Sequence, residues 1–144
     1  MNIEINQNQT ITTQDIADNY YNTEYGNYTI VKASDLLDIK LERLILTGNG
    51  ASFSDKKVSV SNQIKINTEN NTTASYQAVS AVYHKGSSTG GGHYVVYIYE
   101  GERNGKHLWR CHNDSSVSKK LTELPKDNKR RRLKSIYYER IILP

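Results

Sequence analysis

Of the side chains in this sequence able to move a proton, His93 has the most pointed setting. It follows Gly90-Gly91-Gly92 and opens an alternating apolar run, Tyr94-Val95-Val96-Tyr97. A turn-forming stretch, Gly101-Glu102-Arg103-Asn104-Gly105, separates it from a second run, Trp109-Arg110-Cys111-His112-Asn113-Asp114. A hairpin turning near Arg103 sets His93 opposite Asn113, Val95 opposite Cys111 and Tyr97 opposite Trp109. Directly opposed side chains stand about 5 Å apart at Cβ. Asn113 then accepts the ring N–H of His93, fixes its tautomer and leaves the other nitrogen as a base. A slip of one residue would turn Asn113 to the wrong face.

The remaining candidates carry less. Cys111, the only cysteine, shares a face with Asn113. A nucleophilic thiol needs a base within about 3 Å and oxyanion donors at the attacked carbonyl. A mid-strand thiol has its neighbouring amides committed to the ladder, so Cys111 reads as a packing residue. One cysteine excludes an internal disulfide, and His84, His93, His107 and His112 lack metal-ligand spacing, so neither a metal nor a cofactor is expected. The loop from Lys85 holds Gly86, Gly90, Gly91 and Gly92. It reads either as a plain surface hairpin or as a place where small residues admit a substrate backbone close to the histidine.

His84-x-Gly86, then Gly92-His93-Tyr94, then Trp109 and Asn113-Asp114-Ser115-Ser116-Val117, resemble the histidine box of the ubiquitin-specific processing proteases. These are papain-like cysteine peptidases that remove ubiquitin. The resemblance implies that His93 is the catalytic base, Asn113 its orienting partner and Asp114 an organiser of the same site. It implies that Gly90, Gly91, Gly92 and Tyr94 face ubiquitin's Gly-Gly tail, with His84 at the head of the loop as a hydrogen-bonding support. Asp38-Ile39-Lys40-Leu41-Glu42-Arg43-Leu44 is similar to a family strand ending in an Arg-aromatic pair, here with Leu44 for the aromatic. Lys57-Val58, Ile64-Lys65-Ile66, the segment around Ala78-Val79 and Ile136-Tyr137-Tyr138-Glu139-Arg140 are similar to further family strands, so the likeness spans residues 36–143. The family's nucleophile, a cysteine at the start of a helix in an upstream Cys box, has no counterpart here, nor do its zinc-binding cysteine pairs.

Several elements must position these residues. A chain of 144 residues holds at most one domain, small for a whole enzyme of this kind. Residues 1–14 read as a ragged polar tail or a short edge strand, and Thr12 or Thr13 can cap a brief helix around residues 15–19. Tyr20, Tyr21, Tyr25 and Tyr28 read as loop or hairpin. Residues 36–46 carry both a strand period and a helix period; the resemblance selects a strand, ended by Gly48-Asn49-Gly50. Val58 with Val60, and Ile64 with Ile66, alternate as short half-buried strands, and residues 76–83, alternating less cleanly, read as a strand covered in part on both faces. Beyond the hairpin, Val117 is expected in the core. Residues 121–134, with Pro125 and the basic run Lys129-Arg130-Arg131-Arg132, should cross the surface before a last strand from Ser135. The division expected is a poorly defined segment over 1–35 and a sub-domain over 36–144.

The fold class that follows is α+β, mainly β: the antiparallel sheet lobe of a papain-like peptidase. The net charge of +4 gathers late, in residues 129–134, so wholesale nucleic-acid binding is not supported. That run reads as solvated surface before it reads as a nuclear-import or anion-binding patch. No apolar run spans a bilayer and no signal pattern opens the chain, so a cytoplasmic or nuclear protein is expected. The expected partners are ubiquitin or a ubiquitinated protein and a lobe bearing the missing cysteine. The alternative is a catalytically dead module that binds ubiquitin or another protein.

Overall fold

A computed structural model describes residues 2–4, 10–22, 33–53, 57–68, 72–86 and 92–142. Tyr25, Tyr28, Gly90 and Gly91, singled out above, lie outside the described residues. The elements are β1 (Asn2–Glu4), β2 (Thr10–Thr12), α1 (Thr13–Asn22), β3 (Leu36–Glu42), β4 (Leu44–Thr47), β5 (Gly50–Phe53) and β6 (Lys57–Ser59). They continue with β7 (Gln63–Asn67), β8 (Thr73–Lys85), β9 (His93–Arg103), β10 (Lys106–Asn113), β11 (Ser116–Val117) and β12 (Arg131–Arg140). One short helix among strands makes this a mostly β, antiparallel architecture.

The main sheet runs β1-β3-β12-β8-β9-β10-β11, with β7 also paired to β8. The long strand β8 is the spine. One edge carries β7 along its first half and β9 along its second, while β12 lies along the other edge. Alternation, reset by an extra residue at Val79, explains its burial: Ala74, Tyr76 and Ala78 before it, and Ala81 and Tyr83 after it, turn inward and meet Ile39, Leu41, Ile64, Val95, Trp109, Leu133, Ile136 and Tyr138. Successive strand residues point to opposite faces, so these inward sets merge into one core.

The competing helix period over residues 36–46 loses. Leu36–Glu42 is a strand whose Ile39 and Leu41 are buried on one face, and Arg43 interrupts it before the β4–β5 hairpin turns at Gly48 and Asn49. The N-terminal residues take part as well: β1 adds in parallel to β3, and β2 in parallel to β6. Helix α1 starts with reciprocal capping. The Thr12 hydroxyl accepts the Asp15 N–H at 3.1 Å, and the Asp15 carboxylate accepts the Thr12 N–H at 3.0 Å. These bonds hold the Asp15 carboxyl below its ordinary range. Thr13, fully buried, bonds the Tyr138 hydroxyl at 2.6 Å and accepts the Ser61 N–H at 2.8 Å, which docks the helix on the sheet.

Three expectations are corrected. Tyr20 and Tyr21 lie within α1, not in a loop or hairpin. Val117 is 53% exposed, because β11 is only two residues long and lies at the sheet edge. The last strand begins at Arg131, not Ser135, so Arg131 and Arg132 belong to the ladder opposite Lys85 and His84.

The core also contains a charged junction. Arg43 and Asp127 are both buried and form an ion pair. Arg43 Nε donates to the Leu133 carbonyl at 2.8 Å, while Asp127 accepts the amides of Val58 at 2.8 Å and Leu133 at 3.2 Å. Burial pushes the Asp127 carboxyl up, against the pull of Arg43 and the two amides. The pair ties the end of β3 to β6, β12 and the segment before β12.

Candidate active site

The hairpin that carries His93 and Asn113 turns at Asn104-Gly105, with φ of 54° and 77°. This is the left-handed two-residue turn that Asn-Gly favours because it matches strand twist. Near the turn, Gly101 faces Leu108; beyond an irregularity, Tyr99 faces Trp109, Cys111 faces Tyr97 and His112 faces Val96. Gly101, at φ 100°, absorbs the extra residue.

The expected pairs, His93 with Asn113, Val95 with Cys111 and Tyr97 with Trp109, are therefore wrong. The turn lies one to two residues later than expected, and the bulge takes back part of that offset. The net displacement along the partner strand is two residues, an even number, so Asn113 stays on the face of His93. The two meet diagonally, a separation that long side chains span.

The bond itself is present. His93 Nε2 lies 2.5 Å from Asn113 Oδ1. Asp114 Oδ2 stands 3.7 Å from the same nitrogen. The Nε2–H tautomer donates to Asn113 and leaves the lone pair on Nδ1. Asp114 sits at φ 52° in the turn from β10 to β11, a conformation that aspartate tolerates, and its side chain is 83% exposed. The His93 side chain is 44% exposed, so the ring is accessible on one side while Asn113 sets its orientation from the other.

Gly92 is required where it stands. Its φ is 136°, and a Cβ there would run into the His84 ring and come within 2.7 Å of the Lys85 carbonyl oxygen. Its Cα also lies 3.3 Å from the Cβ position of Gly86, so the chain departs and returns through one narrow gap. His84 is buried under this gap, and its ring packs on Tyr94 with centroids 5.0 Å apart. Tyr94 is exposed on the face of the sheet opposite His93.

Cys111 is half-buried beside Tyr97. Its N–H donates to Ser118 Oγ at 2.9 Å and its carbonyl accepts the Ser118 N–H at 2.9 Å, so its backbone is committed to the neighbouring segment. The Tyr97 hydroxyl contacts the thiol and accepts a bond from Arg131 Nη1 at 2.9 Å. Burial first, and the Cys111 contact second, push the Tyr97 phenol up to about 12. His107 is taken by the Tyr99 hydroxyl at 2.8 Å from Nδ1. Among the described residues no three His, Cys, Asp or Glu side chains converge as metal ligands do.

Arg131, which the sequence places in a basic run read as solvated surface or an anion-binding patch, instead opens β12 in the ladder. A strand that begins at Arg131 carries the end of the basic run up to the His93 end of the sheet. A cavity of about 400 Å³ opens elsewhere, floored by Trp109, Tyr83 and Val58, and is not part of this site.

A strand-opening histidine is thus held by a carboxamide at the mouth of a β-ribbon, with its second ring nitrogen turned to an accessible edge. The family model described as ubiquitin carboxyl-terminal hydrolase matches residues 3–137, and the chain belongs to that family. Among solved structures, one of the yeast SAGA DUB module with a point mutant of Sgf73 is similar over 99% of this chain, at 16% identity and a TM-score of 0.72. The likeness covers 34% of that structure's chain, so this sequence spans about a third of its length. A SAGA module of Ubp8, Sgf11, Sus1 and Sgf73, with altered Ubp8 and shortened Sgf11, is similar over 81% of this chain and 25% of its own, at 19% identity and a TM-score of 0.57. At these identities the structures speak for the fold alone. No match was found among curated proteins. Among the described residues no helix is long and apolar enough to cross a membrane.

Proposed function

We propose that this chain supplies the base-bearing lobe of a cysteine-type deubiquitinase that acts on the isopeptide bond after ubiquitin's Gly-Gly tail. The observation that carries this reading is the His93 Nε2 to Asn113 Oδ1 bond, which leaves Nδ1 as the proton acceptor at an accessible edge. The thiol comes from residues outside this chain. His93 Nδ1 takes the thiol proton, and the thiolate attacks the isopeptide carbonyl. The imidazolium then protonates the departing lysine amine. Water, activated by the same nitrogen, hydrolyses the thioester. Asn113 holds the ring, and Asp114, 3.7 Å from Nε2, favours the imidazolium while it exists. Gly90, Gly91 and Gly92 let the Gly-Gly tail lie against the backbone, and His84 and Tyr94 shape that approach from beneath Gly92. A cytoplasmic or nuclear setting follows from the substrate.

One observation favours a second reading, a module that binds ubiquitin without cleaving it. The only cysteine, Cys111, has its backbone tied to Ser118 and lies against Tyr97. The isolated chain is therefore expected to show no hydrolysis.

The test is an NMR titration of the chain with ubiquitin, repeated with His93→Ala. Saturable shifts centred on Gly92 and His93 are expected, reduced in the variant. A well-folded chain that shows no shifts rules out ubiquitin as its ligand.

A further inference from the structure

The face that carries His93 also carries cations. In the ladder Arg131 of β12 pairs with Lys85 of β8, and Lys85 pairs with His93 of β9. Paired residues of adjacent antiparallel strands project to the same side, so Arg131, Lys85 and His93 form one rung. The Arg131 guanidinium is held in place by the Tyr97 hydroxyl at 2.9 Å. Lys85 and Arg131 are half-buried, and among the described residues neither meets a carboxylate. Arg130, in the turn before β12, is exposed and adds to the same end of the sheet.

We propose that this rung is a subsite for an acidic side chain on the protein that carries the isopeptide-linked lysine, so that Lys85 and Arg131 determine specificity beside the scissile bond. The inference rests on the reading of His93 as the base of an isopeptidase. Charge selects an anion, and the neighbourhood selects a carboxylate over a nucleic acid. Single-stranded nucleic acid is held by aromatic faces as well as cations. Here the rings nearest the rung, Tyr83 and Tyr97, are buried edge to face, and Tyr94 lies on the opposite side of the sheet. A planar guanidinium fixed through one nitrogen still has donors suited to a carboxylate.

The test compares two synthetic peptides, each with a lysine acylated on its side chain by Gly-Gly, one flanked by glutamates and one by glutamines. Each is titrated into the full chain and followed by NMR. The glutamate peptide is expected to bind about three- to tenfold tighter, a preference that shrinks as salt rises. Arg131→Gln and Lys85→Gln should each reduce the preference. Tyr97→Phe, which keeps the ring and removes the hydroxyl, should reduce it with the fold intact. Equal binding of the two peptides, or binding of neither, overturns the proposal. So does a preference that survives both charge substitutions, or displacement of the glutamate peptide by a single-stranded oligonucleotide of equal charge. Ubiquitin is titrated separately: loss of ubiquitin binding with the glutamate preference intact would sink the isopeptidase reading and leave the acidic subsite standing.

Discussion

Two polar pairs sit in this sheet and are built to opposite ends. Arg43 and Asp127 are buried, and the Asp127 carboxylate accepts the guanidinium and two backbone amides. His93 and Asn113 stand half-exposed at the mouth of a ribbon, joined through one nitrogen with the other left over. A polar group whose bonds all lie within the protein is structural, because nothing remains to offer a substrate. A group held firmly on one side and open on the other is prepared for chemistry. The contrast separates a closed polar pair from an open one better than residue type does, since both pairs join an ionisable side chain to an oxygen acceptor.

That contrast breaks most visibly at the buried pair. Asp127→Ala would leave Arg43 without its carboxylate and the amides of Val58 and Leu133 without their acceptor. The expected loss is about 3–5 kcal/mol, read from urea unfolding followed by circular dichroism. A loss below about 1 kcal/mol would mean that the junction is not what joins β3 to β12.

Alkali should act on the buried side next. Tyr83, Tyr97 and Tyr138 have phenols pushed above their ordinary value of 10.0, mainly by burial, Tyr97 to about 12. A raised folded value means the stabilising contribution is complete below the unfolded value and is lost as pH climbs through the folded one. Stability should hold up to about pH 10 and fall between pH 10 and pH 12, with tyrosinate absorbance rising as circular dichroism is lost. Early ionisation of all eleven tyrosines in a folded chain would contradict the burial of these three.

A third change lies between the two regions. Gly92→Ala forces a Cβ onto the His84 ring at a φ of 136°. It should cost about 1–3 kcal/mol and move the His93 resonances, while the amides around Asp127 stay in place. The smallest stability effect belongs to the open pair. Asn113→Ala should cost no more than about 1 kcal/mol. It should nevertheless convert the His93 ring from one Nε2–H tautomer to a mixture, seen in its nitrogen chemical shifts. An unchanged tautomer would mean that Asn113 does not orient the ring.

The legibility of the sequence divides along the same line. The open pair could be read because its signals are local: glycines before His93, alternation through Tyr97, and an asparagine closing the next run. Its exact register could not, because a turn centred on Arg103 and one at Asn104-Gly105 both suit the glycine-rich stretch, and the bulge at Gly101 leaves no pattern in the alternation. The face survived because the error was even. The buried pair was invisible: Arg43 and Asp127 lie 84 residues apart, and Asp127 sits in a polar stretch that reads as surface. Val117 misled for a related reason, since an apolar residue in an edge strand of two residues has no layer to cover it. The strand over residues 36–42 went against its helical period because Ile39 and Leu41 find a ready-made sheet face, a tertiary gain that propensity does not register.

The place of β12 in the sheet has a consequence for synthesis. It lies between β3 and β8, both made long before it. While the chain emerges from a ribosome, β8, β9 and β10 can already pair as neighbours in a meander, so the ribbon bearing His93 and Asn113 can form early. Strand β3 has no such neighbour on that side and, with the long edge of β8, stays open until β12 arrives. Two unpaired edges on an unfinished chain are templates for pairing with other chains. The interval before β12 is made is therefore when a holding chaperone would matter most, and a stall near residue 130 would be the costliest place to pause.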